Sequence, residues 1–218
     1  MFKWEYIWIN LIIATLAYFI GSINIGIILS KFKGKDIREI GSKNAGATNV
    51  LRNYGFKLAT LVFLFDFFKS LLTILSIFLV KHFTKNEYIL PIIAGLGILL
   101  GHIYPIYFKF KGGKGVASFI GMIFAFDFML FTLFAMLYIA ITLITKYISL
   151  ASAISCLVIP FLGLIPRIYL ESHLAFMQTN TPYPVHAIIL IFCAAIIILK
   201  HIPNYIRLIS GKENKLNI

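Results

Sequence analysis

Residues 116–145 read VASFIGMIFAFDFMLFTLFAMLYIAITLIT, and Asp127 is the single charged residue among them. As one helix, this stretch would be about 45 Å long at 1.5 Å per residue, which exceeds a hydrocarbon core of roughly 30 Å. As two helices that turn near Asp127, each would be shorter than the roughly 20 residues that usually cross a bilayer. Length leaves both arrangements open, and the choice between them decides the topology of the chain.

The whole chain has the composition of an integral membrane protein. Of its 218 residues, 60% are hydrophobic and 13% are charged, against about 45–50% and about 25% in soluble domains. A soluble globule could not bury so much apolar surface, and the 21 Phe residues exclude intrinsic disorder. The other predicted spans cover residues 6–30, 58–80, 88–107, 150–170 and 185–199. The first lacks a small-residue cleavage site, so we expect a retained helix rather than a signal peptide.

The distribution of Lys and Arg predicts the topology. Seven basic residues lie in 31–57, three in 109–114, one at Lys146 and four in the tail from Lys200. Seven spans place all four groups on one side of the membrane, whereas six spans place Lys146 and the tail opposite the first two groups. The positive-inside rule therefore predicts an all-α fold with seven transmembrane helices, an outside N-terminus and a cytoplasmic C-terminus. The connection 167–184 is then an irregular outer loop.

The net charge of +12 also limits the partners of the protein. In a soluble protein, this excess of positive charge would suggest nucleic acid. In a membrane protein it indicates cytoplasmic loops beside anionic lipid, or a binding site for an anionic substrate. We therefore expect membrane lipid and an anionic substrate as partners, and no nucleic acid.

The first basic loop contains a run of small residues, GSKNAGATN, at positions 41–49. Small side chains let backbone N–H groups approach a phosphate, and Ser42, Asn44 and Thr48 add short hydrogen-bonding groups. Arg52 follows, where we expect the next helix to begin, and a helix N-terminus favours anions. Ordinary turns have the same composition, so this loop alone leaves a turn and a phosphate site open. It is not a P-loop, because no Gly-Lys-Ser/Thr ends it.

The second basic loop places Gly112, Gly113 and Gly115 around Lys114, just before the next predicted helix. Such a segment is typical of a backbone cradle for an anion with a point charge in it. A lysine that snorkels to the membrane surface is the alternative. Because such an anchor does not need three glycines, we favour the cradle. His102, at the end of the preceding span, is expected to be structural.

The C-terminal segment 200–213 leaves the last span as an amphipathic stretch. On a helix, His201, Asn204 and either Arg207 or Leu208 would share one face. That face could present an imidazole, an amide and a guanidinium to one polar ligand. A single His is more often a structural residue than a catalyst, so the segment alone leaves both roles open.

Two charged residues inside the second span, Asp66 and Lys69, are three positions apart and are expected to pair, because an unpaired charge in lipid is costly. We interpret them as a structural pair that orients the helix bundle. Asp127 is predicted to mark an outer turn. Cys156 and Cys193 lie in apolar runs, and we expect neither a disulfide nor a nucleophile there.

The three loops, in this order and on one side of the membrane, resemble the acyl-phosphate:glycerol-3-phosphate acyltransferases, the bacterial PlsY family. The resemblance extends along essentially the whole chain, as one domain over 1–218. It rests on GSINIG at 21–26, on residues 36–52 and 101–118, and on the pattern HxxNxxRLxxGxE from 201 to 213. It implies a multi-pass enzyme of the bacterial plasma membrane with its active site at the cytoplasmic face.

The reaction that this resemblance implies is transfer of a fatty acyl group from acyl phosphate to the 1-hydroxyl of sn-glycerol 3-phosphate. The products would be 1-acylglycerol 3-phosphate (lysophosphatidic acid) and phosphate, in the first step of phospholipid biosynthesis. The attacking nucleophile would be the substrate's own hydroxyl, with no cofactor and no metal. The proton acceptor would be either the substrate's phosphate or His201.

The resemblance also implies two groups of site residues by motif position. The catalytic group, which binds glycerol 3-phosphate, is Ser42, Arg52, Lys114, His201 and Asn204. The group that cradles acyl phosphate is Asn44, Thr48, Gly112, Gly113 and Gly115, with Ser149 or Ser152, between which the sequence does not choose. Four positions depart from the usual family pattern: Asn24 for Pro, Lys43 for Gly, Ser70 for Gly and Ser118 for Thr. Lys43 adds a charge to the loop and removes a flexible backbone position.

Three other functional classes agree less well with the sequence. A transporter would show inverted repeats or broken helices that meet at mid-bilayer, whereas the glycine-rich and basic residues here gather at one face. A phosphotransferase with paired metals needs clustered carboxylates, and the eight acidic residues are scattered. A purely structural protein would leave the three polar loops unexplained. The sequence defines neither the acyl chain-length preference nor the oligomeric state, and a monomer is compatible with it.

Overall fold

The computed structural model describes residues 4–166, 168, 177 and 182–216, and its regular elements in these ranges are helices. The chain divides into two compact units, Met1–Ala125 and Phe126–Ile218. The sequence-based assignment of one domain over 1–218 stays a prediction. Most of the predicted outer loop 167–184, and the end of the predicted span 150–170, lie outside the described residues.

The first unit contains six helices in the described part of the chain. They are α1 (Trp4–Gly21), α2 (Ile25–Phe32), α3 (Ala47–Tyr54), α4 (Phe56–Thr84), α5 (Pro91–Ile103) and α6 (Val116–Phe126). A short 3-10 turn, Ile106–Phe108, follows α5. Glycines bring α1 and α5 together, because a Cβ at Gly97 or Gly101 would meet backbone atoms of α1. Small residues allow this close backbone approach in membrane helix pairs.

A break at residues 22–24 separates α1 from α2, although the sequence suggests one uninterrupted apolar span over 6–30. Asn24 caps α2, since its side-chain oxygen accepts a hydrogen bond from the backbone N–H of Ile27 at 3.1 Å. Asn is a favoured N-cap residue, because its side chain satisfies an amide that has no intrahelical partner. The polar cap, rather than the hydropathy of the stretch, marks where α2 begins.

The second unit contains four helices in the described ranges. They are α7 (Phe128–Thr145), α8 (Ile148–Leu162), α9 (Val185–Lys200) and α10 (Ile202–Ile209). Asp127 is the N-cap of α7, and its Oδ1 accepts hydrogen bonds from the backbone N–H groups of Met129 at 2.7 Å and Leu130 at 3.2 Å. The prediction that 116–145 forms two helices with a break at Asp127 is therefore confirmed.

Four helical segments are long and apolar enough to cross a membrane in the part of the chain that the structure describes. They are Trp4–Phe32, Phe56–Thr84, Pro91–Phe108 and Phe128–Thr145. The pair α9 and α10, bent by 49°, adds a fifth if it is one broken span. The helices Val116–Phe126 and Ile148–Leu162 are apolar but shorter. The all-helical membrane character is clear, and the count of seven spans stays a prediction.

Candidate functional site

The first basic loop is organised by Asn49, which is 1% exposed at the start of α3. Its side-chain Nδ2 donates hydrogen bonds to the carbonyl oxygens of Ile37, Ile40 and Asn44, each at 3.0 Å. Its Oδ1 accepts the backbone N–H of Ser42 at 2.9 Å. One amide side chain thus fixes the backbone just before the predicted phosphate-binding run and within it.

Arg38 connects the first basic loop to the second. Its guanidinium forms a two-pronged ion pair with Asp36, with Nη2 2.7 Å from Oδ2, and Nη1 donates to the carbonyl oxygens of Phe108 at 2.8 Å and Lys111 at 3.2 Å. The hydrogen bonds from Arg38 hold the pKa of Asp36 below its ordinary value, despite the opposing effect of burial. Because a guanidinium carries several donors in a fixed plane, it can serve the carboxylate and both carbonyls at once.

Arg52 does not lie where the sequence predicted it. The helix α3 begins after its N-cap, Gly46, so Arg52 lies in its last turn. The Arg52 side chain is exposed there. The helix ends at Gly55, whose φ of +83° favours glycine. The expectation that Arg52 stands at a helix N-terminus is therefore wrong. Ala47 and Thr48 take that position instead.

The predicted phosphate-binding residues of this loop lie close to the α3 N-terminus. Ser42, Asn44 and Thr48 are each half-buried. Lys43, which lies between the first two, is exposed and has a left-handed φ of +57°. The loop around it is therefore shaped for a glycine-like backbone, and the exposed lysine adopts that shape. The first four N–H groups of a helix lack intrahelical acceptors, so this end of α3 is suited to an anion.

The second basic loop folds back onto the end of α5. The backbone N–H of Gly112 donates to the carbonyl of Ile103 at 3.2 Å, and that of Gly113 donates to the carbonyl of His102 at 3.1 Å. A Cβ at Gly112 would meet the His102 carbonyl, and a Cβ at Gly113 would meet the His102 ring. These two glycines therefore serve close packing, and their amides are bonded within the loop.

Lys114 and Gly115 stand directly before α6. Gly115 has a φ of +90°, and its carbonyl accepts the backbone N–H of Phe119 at 2.8 Å as the helix starts. The N–H groups of the first turn of α6 have no acceptors within the helix. Lys114, half-buried, precedes them. The predicted placement of the glycines at the start of a helix is confirmed, and their role in holding acyl phosphate stays a prediction.

The expected pair of Asp66 and Lys69 is confirmed and has a third member. Lys69 Nζ lies 2.7 Å from Asp66 Oδ1. His102 Nδ1 lies 3.1 Å from Lys69 Nζ and 3.2 Å from Asp66 Oδ1. All three residues are buried. His102 is therefore part of the structure beneath the second loop, as its position at the end of a span suggested.

A second polar cluster, in the other unit, is centred on Glu213. Its Oε1 accepts hydrogen bonds from Asn204 Nδ2 at 2.8 Å and Ser149 Oγ at 3.0 Å, and its Oε2 accepts from Arg207 Nε at 2.8 Å. Burial acts to raise the pKa of Glu213, but these hydrogen bonds and the charge of Arg207 hold it below its ordinary value. The carboxylate thus stays ionised and fixes the three donors around it.

Two members of the face predicted for the C-terminal segment share a partner, because Asn204 and Arg207 both contact Glu213. His201, the third member, lies at the bend between α9 and α10, and the shared face stays a prediction. His201 Nδ1 lies 2.8 Å from the carbonyl oxygen of Ile197. A carbonyl accepts hydrogen bonds, so Nδ1 carries the proton and Nε2 is the basic nitrogen of the ring.

The two serines between which the sequence did not choose make different contacts. Ser149 Oγ donates to Glu213 beside Asn204. Ser152 is buried, and its Oγ donates to the carbonyl of Ile148 in its own helix at 2.8 Å. Ser149 is therefore the serine that joins the polar cluster of this unit.

Sequence reasoning missed three residues that organise these loops: Arg38, Asn49 and Glu213. Glu213 belonged to the family pattern, and Asn49 to the run of small residues, but neither was given a role. The signal in each case was a polar side chain with more than one hydrogen-bonding atom, within a segment that must hold several groups in place. Their partners are spread along the chain, so spacing could not reveal them.

The comparisons with known proteins agree with this geometry. A family model described as glycerol-3-phosphate acyltransferase matches residues 11–211. The chain belongs to the glycerol-3-phosphate acyltransferase family. The glycerol-3-phosphate acyltransferase of Mycoplasmopsis synoviae is 38% identical over 214 residues, with 95% of each chain covered. That of Aquifex aeolicus is 37% identical over 206 residues, which are 94% of this chain and 98% of the relative.

Solved structures of the family have the same fold. A crystal structure of PlsY, an integral membrane glycerol 3-phosphate acyltransferase, in its glycerol 3-phosphate form has a TM-score of 0.79 and 33% identity, and covers 95% of this chain and 96% of PlsY. Its lysophosphatidic acid form has a TM-score of 0.76 and 33% identity, with 95% of each chain covered. This acyltransferase is therefore an integral membrane protein with the PlsY fold, as the sequence resemblance indicated.

Proposed function

We propose that this protein transfers a fatty acyl group from acyl phosphate to the 1-hydroxyl of sn-glycerol 3-phosphate. The observation that supports this most is its similarity, over 95% of the chain, to PlsY structures in glycerol 3-phosphate and lysophosphatidic acid forms. These are a substrate and a product of such a reaction. The reaction would supply lysophosphatidic acid for phospholipid synthesis at the cytoplasmic face of the bacterial cell membrane.

The reaction needs positioning and charge stabilisation more than a protein nucleophile. The 1-hydroxyl oxygen attacks the acyl carbonyl carbon, a new ester bond forms, and the bond between that carbon and the phosphate oxygen breaks. Phosphate leaves with the bonding electrons, and the hydroxyl proton goes to a base. Fixed N–H groups and cationic side chains stabilise the negative charge that develops on the carbonyl oxygen and on the leaving phosphate.

The residues proposed for this work are those implied by the family pattern. Ser42, Arg52, Lys114, His201 and Asn204 would bind glycerol 3-phosphate, and Asn44, Thr48, Gly112, Gly113, Gly115 and Ser149 would surround the acyl phosphate head. The first-unit residues among them lie in the two basic loops tied together by Arg38. Bonded amides at Gly112 and Gly113 mean that these two glycines would contribute shape rather than N–H donors.

The base is proposed to be the phosphate of the substrate, with His201 as the alternative. His201 Nδ1 is committed to the carbonyl of Ile197, which leaves Nε2 as the nitrogen that could accept a proton. His201→Gln tests the choice, because glutamine can still donate a hydrogen bond but has no basic nitrogen. If kcat falls by less than about tenfold, substrate phosphate is the base, since general bases contribute roughly 10²–10⁴-fold.

We infer that the chain crosses the membrane seven times, with the N-terminus outside. The cap at Asp127 supports this, because two helices within 116–145 that each crossed the membrane would bring Lys146 and the basic tail to the side of the first two basic loops. The helix Val116–Phe126 has 11 residues, or about 16 Å at 1.5 Å per residue. It would therefore cross a locally thin or protein-lined part of the bilayer.

The deciding experiment is an acyltransfer assay on the purified protein in detergent. Palmitoyl phosphate and labelled glycerol 3-phosphate are supplied without divalent metal, and lysophosphatidic acid is measured, with palmitoyl-CoA as the competing donor. Product from acyl phosphate alone is the expected result. Product from acyl-CoA alone, or none in a folded protein that binds glycerol 3-phosphate, would contradict the proposal.

A pair of lysine variants tests the proposed site in the same assay. Lys114→Ala removes the charge before α6 and is expected to lower kcat/KM by at least 100-fold. Lys111→Ala is the matched control, because it removes an exposed lysine of the same loop and leaves the carbonyl that Arg38 uses. Equal activity of the two variants would mean that Lys114 is not part of the site.

A further inference from the structure

The most elaborate polar cluster inside the first unit is not used by the reaction as described. Lys69 Nζ lies 2.7 Å from Asp66 Oδ1 and 3.1 Å from His102 Nδ1, and it donates hydrogen bonds to the carbonyls of Gly21 at 3.2 Å and Ile23 at 3.1 Å. An ammonium has three donors and no acceptor. Lys69 therefore directs its complete hydrogen-bonding capacity into the protein interior.

The first consequence of this arrangement concerns the break between α1 and α2. Gly21 is the last residue of α1, and Ile23 lies inside the break, so both carbonyls lie where the helix is interrupted. Carbonyls at such a break have lost their helical N–H partners and need donors, most of all in an apolar surrounding. Lys69 supplies them and so fixes the point from which α2 departs.

The position of α2 in turn sets the position of the first basic loop. Ser30 Oγ, on α2, accepts the backbone N–H of Ile37 at 2.9 Å. A Cβ at Gly26 would meet the carbonyl oxygen of Ala45, so α2 and the loop lie in direct backbone contact. Ile27, Ile37 and Ala45 are fully buried together. A shift of α2 would therefore move residues 37–45 with it.

The second consequence concerns the other basic loop. His102 contributes its carbonyl to the backbone N–H of Gly113 at 3.1 Å, and its ring fills the space that a Cβ at Gly113 would take. The opposite edge of the ring is held by Lys69 and Asp66. Gly113, next to Lys114, therefore packs against the ring of His102, and the orientation of that ring depends on the ion pair of Asp66 and Lys69.

We propose that Asp66, Lys69 and His102 form a positioning cluster that fixes the two basic loops relative to each other and so sets the affinity for the phosphate groups of the substrates. The proposal rests on the proposed function for the identity of those substrates. None of the three residues touches substrate in this scheme. They act through Gly21 and Ile23 on one side and through Gly113 on the other.

Stability alone is a poor explanation for such a cluster. Buried ion pairs lose so much hydration that replacing them with apolar residues of similar volume is often neutral or stabilising, whereas removal of one partner leaves an unpaired buried charge. A variant that removes both charges therefore separates folding from positioning. A cluster kept for geometry can be replaced without loss of the fold but not without loss of function.

The double variant Asp66→Leu/Lys69→Met is the first test, with Ser76→Ala on the exposed side of α4 as control. We expect the double variant to fold, with a melting temperature below that of the parent protein, because the carbonyls of Gly21 and Ile23 lose their donor. Its KM for glycerol 3-phosphate or for the acyl donor should rise more than fivefold, with a smaller change in kcat. A folded double variant in which both KM values change less than fivefold would overturn the proposal.

A second test remains available if the double variant does not fold. Gly113→Ala should raise KM strongly in the parent protein, because the new methyl group meets the His102 ring. In a His102→Ala background, the same change should add less than twofold, because the ring is gone. Gly112→Ala is the matched control, since its methyl group would meet the His102 carbonyl, which His102→Ala leaves in place.

The outcomes keep this proposal separate from the proposed function. Every variant is scored as a ratio to the parent protein, with whichever donor the parent uses. A parent protein that fails with acyl phosphate counts against the proposed function only. If Gly113→Ala raises KM by the same factor in the parent protein and in the His102→Ala background, and Gly112→Ala does so too, the ring does not position the loop.

Discussion

Asn49, which was not assigned to the site, fixes the backbone of the first basic loop through the hydrogen bonds of its side chain. Three carbonyl oxygens and one backbone N–H depend on its side-chain amide. Each such bond contributes about 0.5–1.5 kcal/mol net, and a buried group left without a partner costs more. The conformation of residues 37–44 is therefore expected to depend on this one side chain.

Asn49→Asp should be more damaging than Asn49→Ala, because it turns the donor nitrogen into an oxygen that faces three carbonyl oxygens. We expect a loss of about 2–4 kcal/mol in the free energy of unfolding, and a fall in kcat/KM of at least 100-fold. Asn86→Asp is the control, because it lies outside the two basic loops and keeps the oxygen that accepts the backbone N–H of Tyr88. Thermal unfolding in detergent and the acyltransfer assay measure both effects. Equal results for Asn49→Asp and Asn86→Asp would contradict this role.

Lys43 shows how a departure from a family pattern can be interpreted through backbone geometry. Its φ of +57° lies in the left-handed region, which costs an ordinary residue about 1–2 kcal/mol and costs glycine little. Substitution to glycine would remove this cost, but part of the gain in stability would be offset, because glycine gives the unfolded chain more conformational freedom, by about 0.4–1 kcal/mol. The exposed charge and the strained backbone are therefore separate properties of the same residue.

Two substitutions separate these properties. Lys43→Gly and Lys43→Gln both remove the charge, but only glycine relieves the backbone, so Lys43→Gly should be more stable than Lys43→Gln by roughly 0.5 kcal/mol. Melting temperatures of the two variants in the same detergent check the order. A glutamine variant as stable as the glycine variant would mean that the loop adjusts its backbone at this position without cost.

At the scale of elements, the C-terminal segment is held to α8 and α10 by one carboxylate. Glu213 accepts hydrogen bonds from Ser149, Asn204 and Arg207, and the backbone N–H of Leu216 donates to the carbonyl of Lys146 at 2.8 Å. The pKa of Glu213 is lowered in the folded state, although burial opposes the shift. Its contribution to stability is therefore complete above its unfolded pKa of about 4.5 and is lost as the pH falls through the lower folded value.

Glu213→Gln should remove this contribution at neutral pH and flatten the acid side of the stability profile. We expect a loss of about 1.5–3 kcal/mol at pH 7, the usual range for hydrogen bonds to a charged group. The parent and the variant should then converge as the pH falls below 4. Thermal unfolding at pH 7, 5 and 3.5 measures this, with Glu39→Gln, an exposed residue of the other unit, as control. A constant difference at all pH values would show that Glu213 acts without its charge.

The elements that the sequence predicted correctly are those determined by one local cause. Asp127 is a poor residue for mid-span and a good N-cap, so a break could be located to the residue. Asp66 and Lys69 share a face by their spacing, so their pairing could be predicted. In both cases, the partners lie within a single turn of helix.

Some features that the sequence did not reveal depend on residues far apart along the chain, and others depend on local helix starts that hydropathy does not signal. His102 contacts Lys69, which is 33 residues away, and Asn49 holds backbone groups up to 12 residues away. The break after Gly21 depends on a capping Asn24 within an otherwise apolar run, where hydropathy gives no signal. Arg52 was misplaced because the helix starts at Ala47, immediately after a glycine that lacks any side-chain capping bond.

At the scale of the whole molecule, the distribution of Lys and Arg and the helix break at Asp127 are linked. Lys and Arg in four separate segments can share the cytoplasmic side only if the chain turns back at Asp127. With six spans, the basic tail would lie outside, where Lys212 would be accessible from the medium. The location of Lys212 therefore decides between seven and six spans, whatever the length of α6.

Single cysteines in a chain that carries Cys156→Ala and Cys193→Ala measure this location. Glu87→Cys should react with a membrane-impermeant maleimide in intact cells, and Lys111→Cys only after permeabilisation, because both topologies agree on these two positions. Lys212→Cys should behave like Lys111→Cys if the chain has seven spans. Labelling of Lys212→Cys in intact cells at the rate of Glu87→Cys would place the tail outside, and six spans would then replace seven.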